Sequence, residues 1–283
     1  MPVRLSGYQP QYFPRLHYFA RILDADIFKI SDYVQFVRTH TYLRDDGSKE
    51  RGPSYQVHTP IKQANGLYLL TVPTEHHGLL PINRTVIEYS SKWPHKHLKT
   101  IEFAYRKTKH GAKIITQLSQ LLATRYLSVA QLNITTILWA LAWILGEPDL
   151  PLHTLTVDRI NELLVSKSHP FRLKRIVVVS QTDILPHGDS EDSTDWIIDS
   201  CRRLGADEYY HGGTAATAYL DFQRLTQAGI RHVQQDWTCQ RYQQLFPKAG
   251  FISNLSIIDL LMNEDLERVR EVLSGAKSPR VDS

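Results

Sequence analysis

The N-terminal stretch restricts the fold more than any other part of the chain. Residues 3–38 read VRLSGYQPQYFPRLHYFARILDADIFKISDYVQFVR. Val3 and Leu5 alternate with polar neighbours, as a short strand does. The run GYQPQYFP, residues 7–14, stops any ladder or helix with a glycine and two prolines. Pro14 is placed to open a helix, because its missing N–H is not needed in the first turn. Leu16, Phe19, Ala20, Ile22 and Leu23 then recur at helical spacing, and Asp24-Ala25-Asp26 ends the pattern. Ile27, Phe28 and Ile30 predict a second, largely buried strand that runs into Ser31-Asp32. A strand–helix–strand unit predicts a parallel α/β sheet. Ligands of such sheets sit beyond the carboxyl ends of the strands. That edge carries Tyr8, Gln9, Tyr12, Asp32 and Gln35.

These same residues resemble a known family. The WbqC-like family has an N-terminal pattern close to QP-x-Y-x-PW-x-GYF, then AD, then D-x-VQF. This chain has Gln9-Pro10, Tyr12, Pro14, Tyr18-Phe19, Ala25-Asp26, Asp32 and Val34-Gln35-Phe36 in register. Arg15 stands where the family has Trp, and His17 where it has Gly. Further on, LYLLTVP (residues 67–73) is similar to the family's WLTVP, and FISNLSIIDL (residues 251–260) to its F-I-x-N-LS-I-x-D-L. Ile61-Lys62 and Asn65-Gly66 agree as well, whereas Val57-His58 fall where the pattern has Arg-Asn. The resemblance implies a cytoplasmic transferase in surface-polysaccharide (O-antigen) biosynthesis, with glycine as one amino-acyl group it would move to a sugar. The departures at Arg15, His17 and Val57-His58 bear on how such a substrate would be handled.

At 283 residues the chain has room for one large domain or two small ones. The pattern predicts a single α/β domain with a helical cap or insertion at about 94–147 and a flexible tail at about 274–283. A net charge of +4 without runs of Lys or Arg argues against nucleic acid as a partner. The two cysteines, Cys201 and Cys239, form no CxxC pair, so neither a disulfide framework nor a zinc site is expected, and a reduced cytoplasm is. No apolar segment follows Arg4 as in a signal peptide. The longest apolar stretch, residues 134–145, is shorter than the roughly 20 residues of a membrane span, which predicts a buried core helix and no integral membrane segment.

The rest of the chain continues the α/β pattern. Residues 39–66 are polar and rich in glycine and proline, and read as a long loop or irregular hairpin. Residues 67–73 and 83–89 read as strands. Three helical segments follow, at 94–108, 110–126 and 128–146. Residues 175–180 form the clearest strand, and their apolar run predicts a central position buried on both faces. A helix at 196–204, capped by Thr194 or Asp195, leads to a strand at 208–210 and then to His211-Gly212-Gly213-Thr214. Helices at 215–220 and 221–228, a strand at 230–233 and two last helices complete the chain. The expected fold is α/β, with a parallel or mixed Rossmann-like sheet and helices on both faces.

Three constellations are candidates for chemistry. The N-terminal loop offers Gln9, Tyr12, His17, Tyr18 and Gln35 as a polar-aromatic pocket at a strand end, or as packing for the base of the helix. This region also resembles, in architecture alone, the HxGH turn of nucleotidylyltransferases, with Arg15, His17 and Tyr18 in its place. Tyr210, Gly212 and Gly213, followed by Tyr219, form a strand–glycine–helix junction whose backbone N–H groups suit an anion, or simply a tight turn. Asn254 and Ser256 offer donors at a helix start, or serve as its cap. For acyl transfer, His17 is the candidate base and Asp32 the group that orients substrate, with Gly212-Gly213 holding a phosphate or oxyanion. Lys62 is a further candidate substrate contact. The partner is a small molecule or a sugar. The cofactor is unspecified, with a nucleotide or an activated acyl donor as the classes this chemistry uses. A nucleotide- or sugar-binding module without turnover and a nucleotidyl-transfer or adenylate-forming enzyme remain the other readings. His76-His77 and His95-Lys96-His97 lack ligand spacing with carboxylates, so no metal site is expected.

Overall fold

Leu5 and Ile27 set the register of the sheet. In the computed structural model, which describes residues 2–43, 48–75, 78–182, 192–213 and 220–275, they lie side by side on two parallel strands, β1 (Arg4–Tyr8) and β2 (Ile27–Ile30). Between these strands runs α1 (Leu16–Leu23), capped by Arg15 in an extended conformation, so Pro14 precedes the cap instead of occupying the first turn. Elements are numbered over the described residues.

Of the two forms expected for residues 39–66, the described residues take the hairpin and not the long loop. They form β3 (Thr39–Leu43) paired with β4 (Lys49–Pro53), and β5 (His58–Gln63), which pairs with β6 (Gly66–Thr71). Both pairs are antiparallel ribbons. Charges and prolines along β4 and β5 hide the two-residue alternation that would have announced them. Residues 83–89, expected as a strand, contribute only the single bridge from Ile87 to Thr74.

The three predicted helical segments are present as α2 (Trp93–Tyr105), α3 (Gly111–Ala123) and α4 (Val129–Ile144). Helix α4 is buried on nearly all sides, and two of its polar residues hold the N-terminal loop. Asn133 Nδ2 donates to the carbonyls of Pro10 (3.0 Å) and Gln56 (2.7 Å). Thr136 Oγ1 accepts from the Phe13 N–H at 3.1 Å. The Phe13 carbonyl accepts from Thr59 and Ser256 hydroxyls. These bonds hold Phe13 at φ 37°, a region that L side chains rarely adopt.

The second half supplies α5 (Val157–Ser166), β7 (Arg175–Val178), α6 (Ser193–Leu204), β8 (Glu208–His211), α7 (Phe222–Gln227), β9 (Arg231–Gln234), α8 (Ile257–Asn263) and α9 (Leu266–Ser274). The sheet has five strands in the order β7-β2-β1-β8-β9, all parallel. The expected helix at 215–220 lies almost wholly outside the described residues, as do His76-His77 and most of the tail.

The central position expected for residues 175–180 is corrected. Strand β7 is an edge of the sheet, and residues 179–181 leave it as a 3₁₀ turn. The apolar run reflects burial, not position. Asn161 of α5 covers the open edge, accepting from the Ile176 N–H (2.8 Å) and donating to the Ile176 carbonyl (3.0 Å). It takes the place of a neighbouring strand, so the edge needs no polar side chains of its own.

Side chains alternate across the sheet and build two cores. Leu5, Ile27, Val177 and Tyr209 pack with Ile197, Cys201 and Leu225 of α6 and α7. Phe28, Ile30, Ile176 and Val178 join a larger cluster with α1, α4, α8 and α9. Helices therefore cover both faces, as the sequence predicts.

Candidate functional site

The chain steps from β1 to β2 and β7 on one side, and to β8 and β9 on the other. Strand order thus reverses between β1 and β8, and the crevice outside the carboxyl ends at such a point is where open α/β sheets bind ligands. A cavity of about 230 Å³ opens there, lined by Tyr8, Gln9, Lys29, Ser31, Tyr33 and Trp196 among others. Larger hollows lie elsewhere, of about 820 Å³ beside Glu267 and Arg270 and about 460 Å³ beside Trp143 and Leu261. Neither is lined by residues of a strand end, so the smaller cavity is the better candidate.

Lys29 is the unexpected member of this cavity. It sits in β2 between Phe28 and Ile30, and is 6% exposed. Its Nζ donates to Ser200 Oγ at 2.6 Å. Ser200 in turn donates to the Trp196 carbonyl at 2.6 Å, so its oxygen is left as an acceptor for the lysine. Among the described residues Lys29 forms no ion pair. Burial pushes its pKa down to about 8, with Cys201 and Asp199 opposing. Gly7 makes the placement possible: a Cβ there would stand 3.1 Å from Lys29 Cε. Tyr33 meets Trp196 edge to face with ring centroids 5.9 Å apart, forming an aromatic wall. Burial lifts the Tyr33 hydroxyl to about 12, so it is a neutral donor. Cys201, beneath Lys29, is likewise pushed up to about 12 by burial and is no thiolate nucleophile.

Of the residues singled out from the sequence, Gln9 lines this cavity, and its Oε1 accepts from Gln56 Nε2 at 2.8 Å. The others are distributed around it. Tyr12 is fully buried in the core and donates to His97 Nδ1 at 3.0 Å, while His97 Nε2 donates to the Thr71 carbonyl. Burial drives His97 down to about 4, which keeps it neutral in this arrangement. Tyr18 is buried and donates to the Gln9 carbonyl at 3.1 Å. Gln35 borders a separate cavity of about 430 Å³ with Arg38 and Arg51. Lys62 is buried and donates to the Gly250 carbonyl (2.5 Å) and Gln244 Oε1 (3.2 Å). Tyr210 lies under the Arg4 guanidinium and borders a third hollow with Asp24 and Arg172. Tyr219 lies outside the described residues.

His17 and Asn254 form a pair. Asn254 Oδ1 accepts from the His17 backbone N–H (3.0 Å) and from its Nδ1 (3.1 Å). Burial, with the nearby Arg15 and Arg21 charges, holds the imidazole well below its usual range. Ser256 caps α8 and donates to the Phe13 carbonyl at 3.0 Å, so it tightens the N-terminal loop. Gly212 faces the Arg21 guanidinium so closely that a Cβ would collide with it. Arg21 is anchored on Gln235 Oε1 (2.9 and 3.0 Å) and lies over the Tyr8 ring. Gly213 lies against Gln234 of β9. Gln9, Tyr12, Asp32, Gly212 and Asn254 therefore share the carboxyl edge without lining one cavity.

Asp32 is also turned inward. It is 3% exposed, and its carboxylate accepts from the Ser180 N–H (3.0 Å) and hydroxyl, tying the end of β2 to the end of β7. Truncation to alanine should strand those donors and lower the unfolding free energy by about 1.5–3 kcal/mol, read as a reduced urea midpoint. An unchanged midpoint would return Asp32 to the role of a free ligand contact.

With this geometry in hand, comparison with known proteins decides the family. The model of the WbqC-like protein family matches residues 9–271 of the 283. The chain belongs to the WbqC-like protein family. The match takes in every strand of the sheet except β1, together with Lys29, Trp196 and Asn254. Comparison with curated proteins and with solved structures finds no match. Among the described residues no helix is long and apolar enough to cross a membrane, and no group of three or more His, Cys, Asp or Glu is arranged to hold a metal ion.

Two site residues were hidden in the sequence for different reasons. Lys29 was visible as one charge inside Ile27-Phe28-Lys29-Ile30, but a lysine there can equally run its stem out to solvent. Arg21 reads as part of the polar face of an amphipathic helix, and only the fold buries it to 6% exposure.

Proposed function

We propose that this WbqC-like protein is a transferase for a small polar substrate, with a role in surface-polysaccharide biosynthesis as the family resemblance implies. The cavity at the reversal of strand order, about 230 Å³ in volume, carries this reading. It combines aromatic walls, Tyr33 and Trp196, with a polar floor of Gln9, Lys29 and Ser31, the mixture that fixes a small ring and its substituents. Acyl or amino-acyl transfer develops negative charge on a carbonyl oxygen, and a buried ammonium aimed at that oxygen stabilises it. Lys29 supplies that charge. His17 acts through Asn254 to hold the N-terminal loop, in place of the base the sequence assigns to it. The donor is an activated acyl group or a nucleotide-linked sugar, and the site is cytoplasmic.

A binding module without turnover is the second reading. It is favoured by Val57 and His58, which stand where the family pattern has Arg-Asn. Val57 is buried in the core and has no polar group to offer, and His58 Nδ1 is spent on the Ser54 carbonyl at 2.7 Å.

Thermal unfolding with nucleotides, nucleotide-sugars and acyl donors tests the site. A ligand at a hundredfold its Kd adds about 2.7 kcal/mol, so at least one class should raise the midpoint of the wild type. Trp196→Ala should lose most of that rise. Absence of any shift, or a shift that survives in Trp196→Ala, rejects the cavity as the site. Mass spectrometry of the bound mixture then separates transfer from mere binding.

A further inference from the structure

We infer that Lys29 anchors an oxyanion subsite, so that the substrate enters the switch-point cavity by a carboxylate or phosphate group and not by a neutral sugar face. This rests on the reading of the cavity as the substrate site, and adds the chemical class of what it holds. Two other buried charges in this protein are met by opposite charges. Arg4 meets Asp24 and Glu208, and Asp26 meets Arg172 and Lys174. Among the described residues, Lys29 has a hydroxyl and no carboxylate. A buried cation without a counter-charge is costly, and an incoming anion removes that cost.

The surroundings point the same way. No Asp or Glu is among the described residues lining the cavity. Ser200 takes up one of the three ammonium protons, and two remain for a ligand. Asp199, whose field reaches Lys29, is paired with Arg203 at 2.7 Å. Asp192 and Asp195, at the start of α6, are both engaged by Arg224. The first turn of α6 contributes Ser193, Trp196 and Ile197 to the cavity wall, which brings the positive end of that helix to the site. Across Tyr8 stands a second buried cation without an ion pair among the described residues, Arg21. At about 230 Å³ the cavity is smaller than the roughly 300–1,000 Å³ of a drug-sized site. It fits a charged group and the ring that bears it, with any larger donor left outside.

Calorimetric titration with glucose, glucuronate, glucose 1-phosphate and inorganic phosphate, at one ionic strength held with KCl, tests the proposal. Glucuronate, or glucose 1-phosphate together with phosphate, should bind where glucose does not, and which of them does identifies carboxylate or phosphate as the source. Lys29→Met should weaken that binding by about ten- to a hundredfold. Because the variant removes a buried group, wild-type protein with ¹³C-labelled lysine gives a parallel readout. The Lys29 Cε signal should titrate at higher pH with the bound anion than without it. Glucose binding equally to wild type and Lys29→Met would overturn the oxyanion subsite and leave the cavity as the substrate site. Anion binding through Lys29 without any transfer would uphold the subsite and reject the transferase. Failure of every probe to bind or to move the Lys29 signal overturns the subsite as well.

Discussion

Replacing Asp259 by alanine is expected to lower the unfolding free energy by about 3–5 kcal/mol. Asp259 is fully buried in α8. Its two oxygens accept from the hydroxyls of Tyr105 and Tyr242, each at 2.8 Å. Tyr105 also accepts the Lys62 N–H at 2.9 Å, and the Lys62 ammonium lies within the field of the carboxylate. One side chain thus joins α2, α8, β5 and the segment before α8. Alanine would leave two buried hydroxyls without their acceptor and a buried ammonium without its counter-charge. Burial raises the Asp259 carboxyl to about 6, against the opposing bonds of Tyr242 and Tyr105 and the Lys62 charge. A raised acid binds its proton more tightly in the folded state, so this group loses stability for the protein as pH rises from below 3.8 through about 6. Asp259→Asn removes that loss, and should compare best with wild type above pH 6. Urea unfolding at pH 7 measures both variants, and a loss under about 1 kcal/mol for alanine would show that the tyrosines are satisfied without the carboxylate.

Lys29→Met should act in the opposite direction, stabilising the ligand-free protein at pH 7 by roughly 2–3 kcal/mol. Methionine matches the lysine stem in length and needs no counter-charge. The effect should depend on pH with a definite sign. Burial lowers Lys29 to about 8 when folded, against 10.5 for a free lysine. Between those values the unfolded chain holds more protons, so wild-type stability rises with pH across that window. The penalty of the buried ammonium is complete below about 8 and gone above 10.5. The advantage of Lys29→Met should therefore shrink over this range, as followed by urea unfolding of both proteins in parallel. A variant less stable than wild type at every pH would make the Ser200 hydrogen bond the reason for Lys29, and would remove the cation from both functional readings.

Much of the architecture was legible in residues 3–38. Apolar residues at helical spacing between two short apolar runs predict a parallel unit, and β1, α1 and β2 form one. The helices α2 and α3 were equally plain, because their burial follows a 3.6-residue period that sequence displays directly, and α4 was plain because its apolar run is too long for a strand. The ribbons β3–β4 and β5–β6 were only partly so: residues 67–73 read as a strand, whereas charges and prolines along β4 and β5 mask their alternation. Of the site, the carboxyl edge and Gln9 were legible; Asp32 was found but its direction was not.

Sequence by itself determined that the chain is a parallel α/β protein of the WbqC-like family, and it pointed to the edge of the sheet where the candidate site lies. Only the tertiary structure decided which polar groups face that site and which are spent on the fold. Asp32 turns to Ser180 because β7 lies beside β2. Lys29 turns to the cavity because register sets it on the α6 face beside Gly7. The physical reason is range. Propensity and periodicity act over a few neighbouring residues, whereas the partner of a buried charge is chosen by strands and helices that meet from distant parts of the chain.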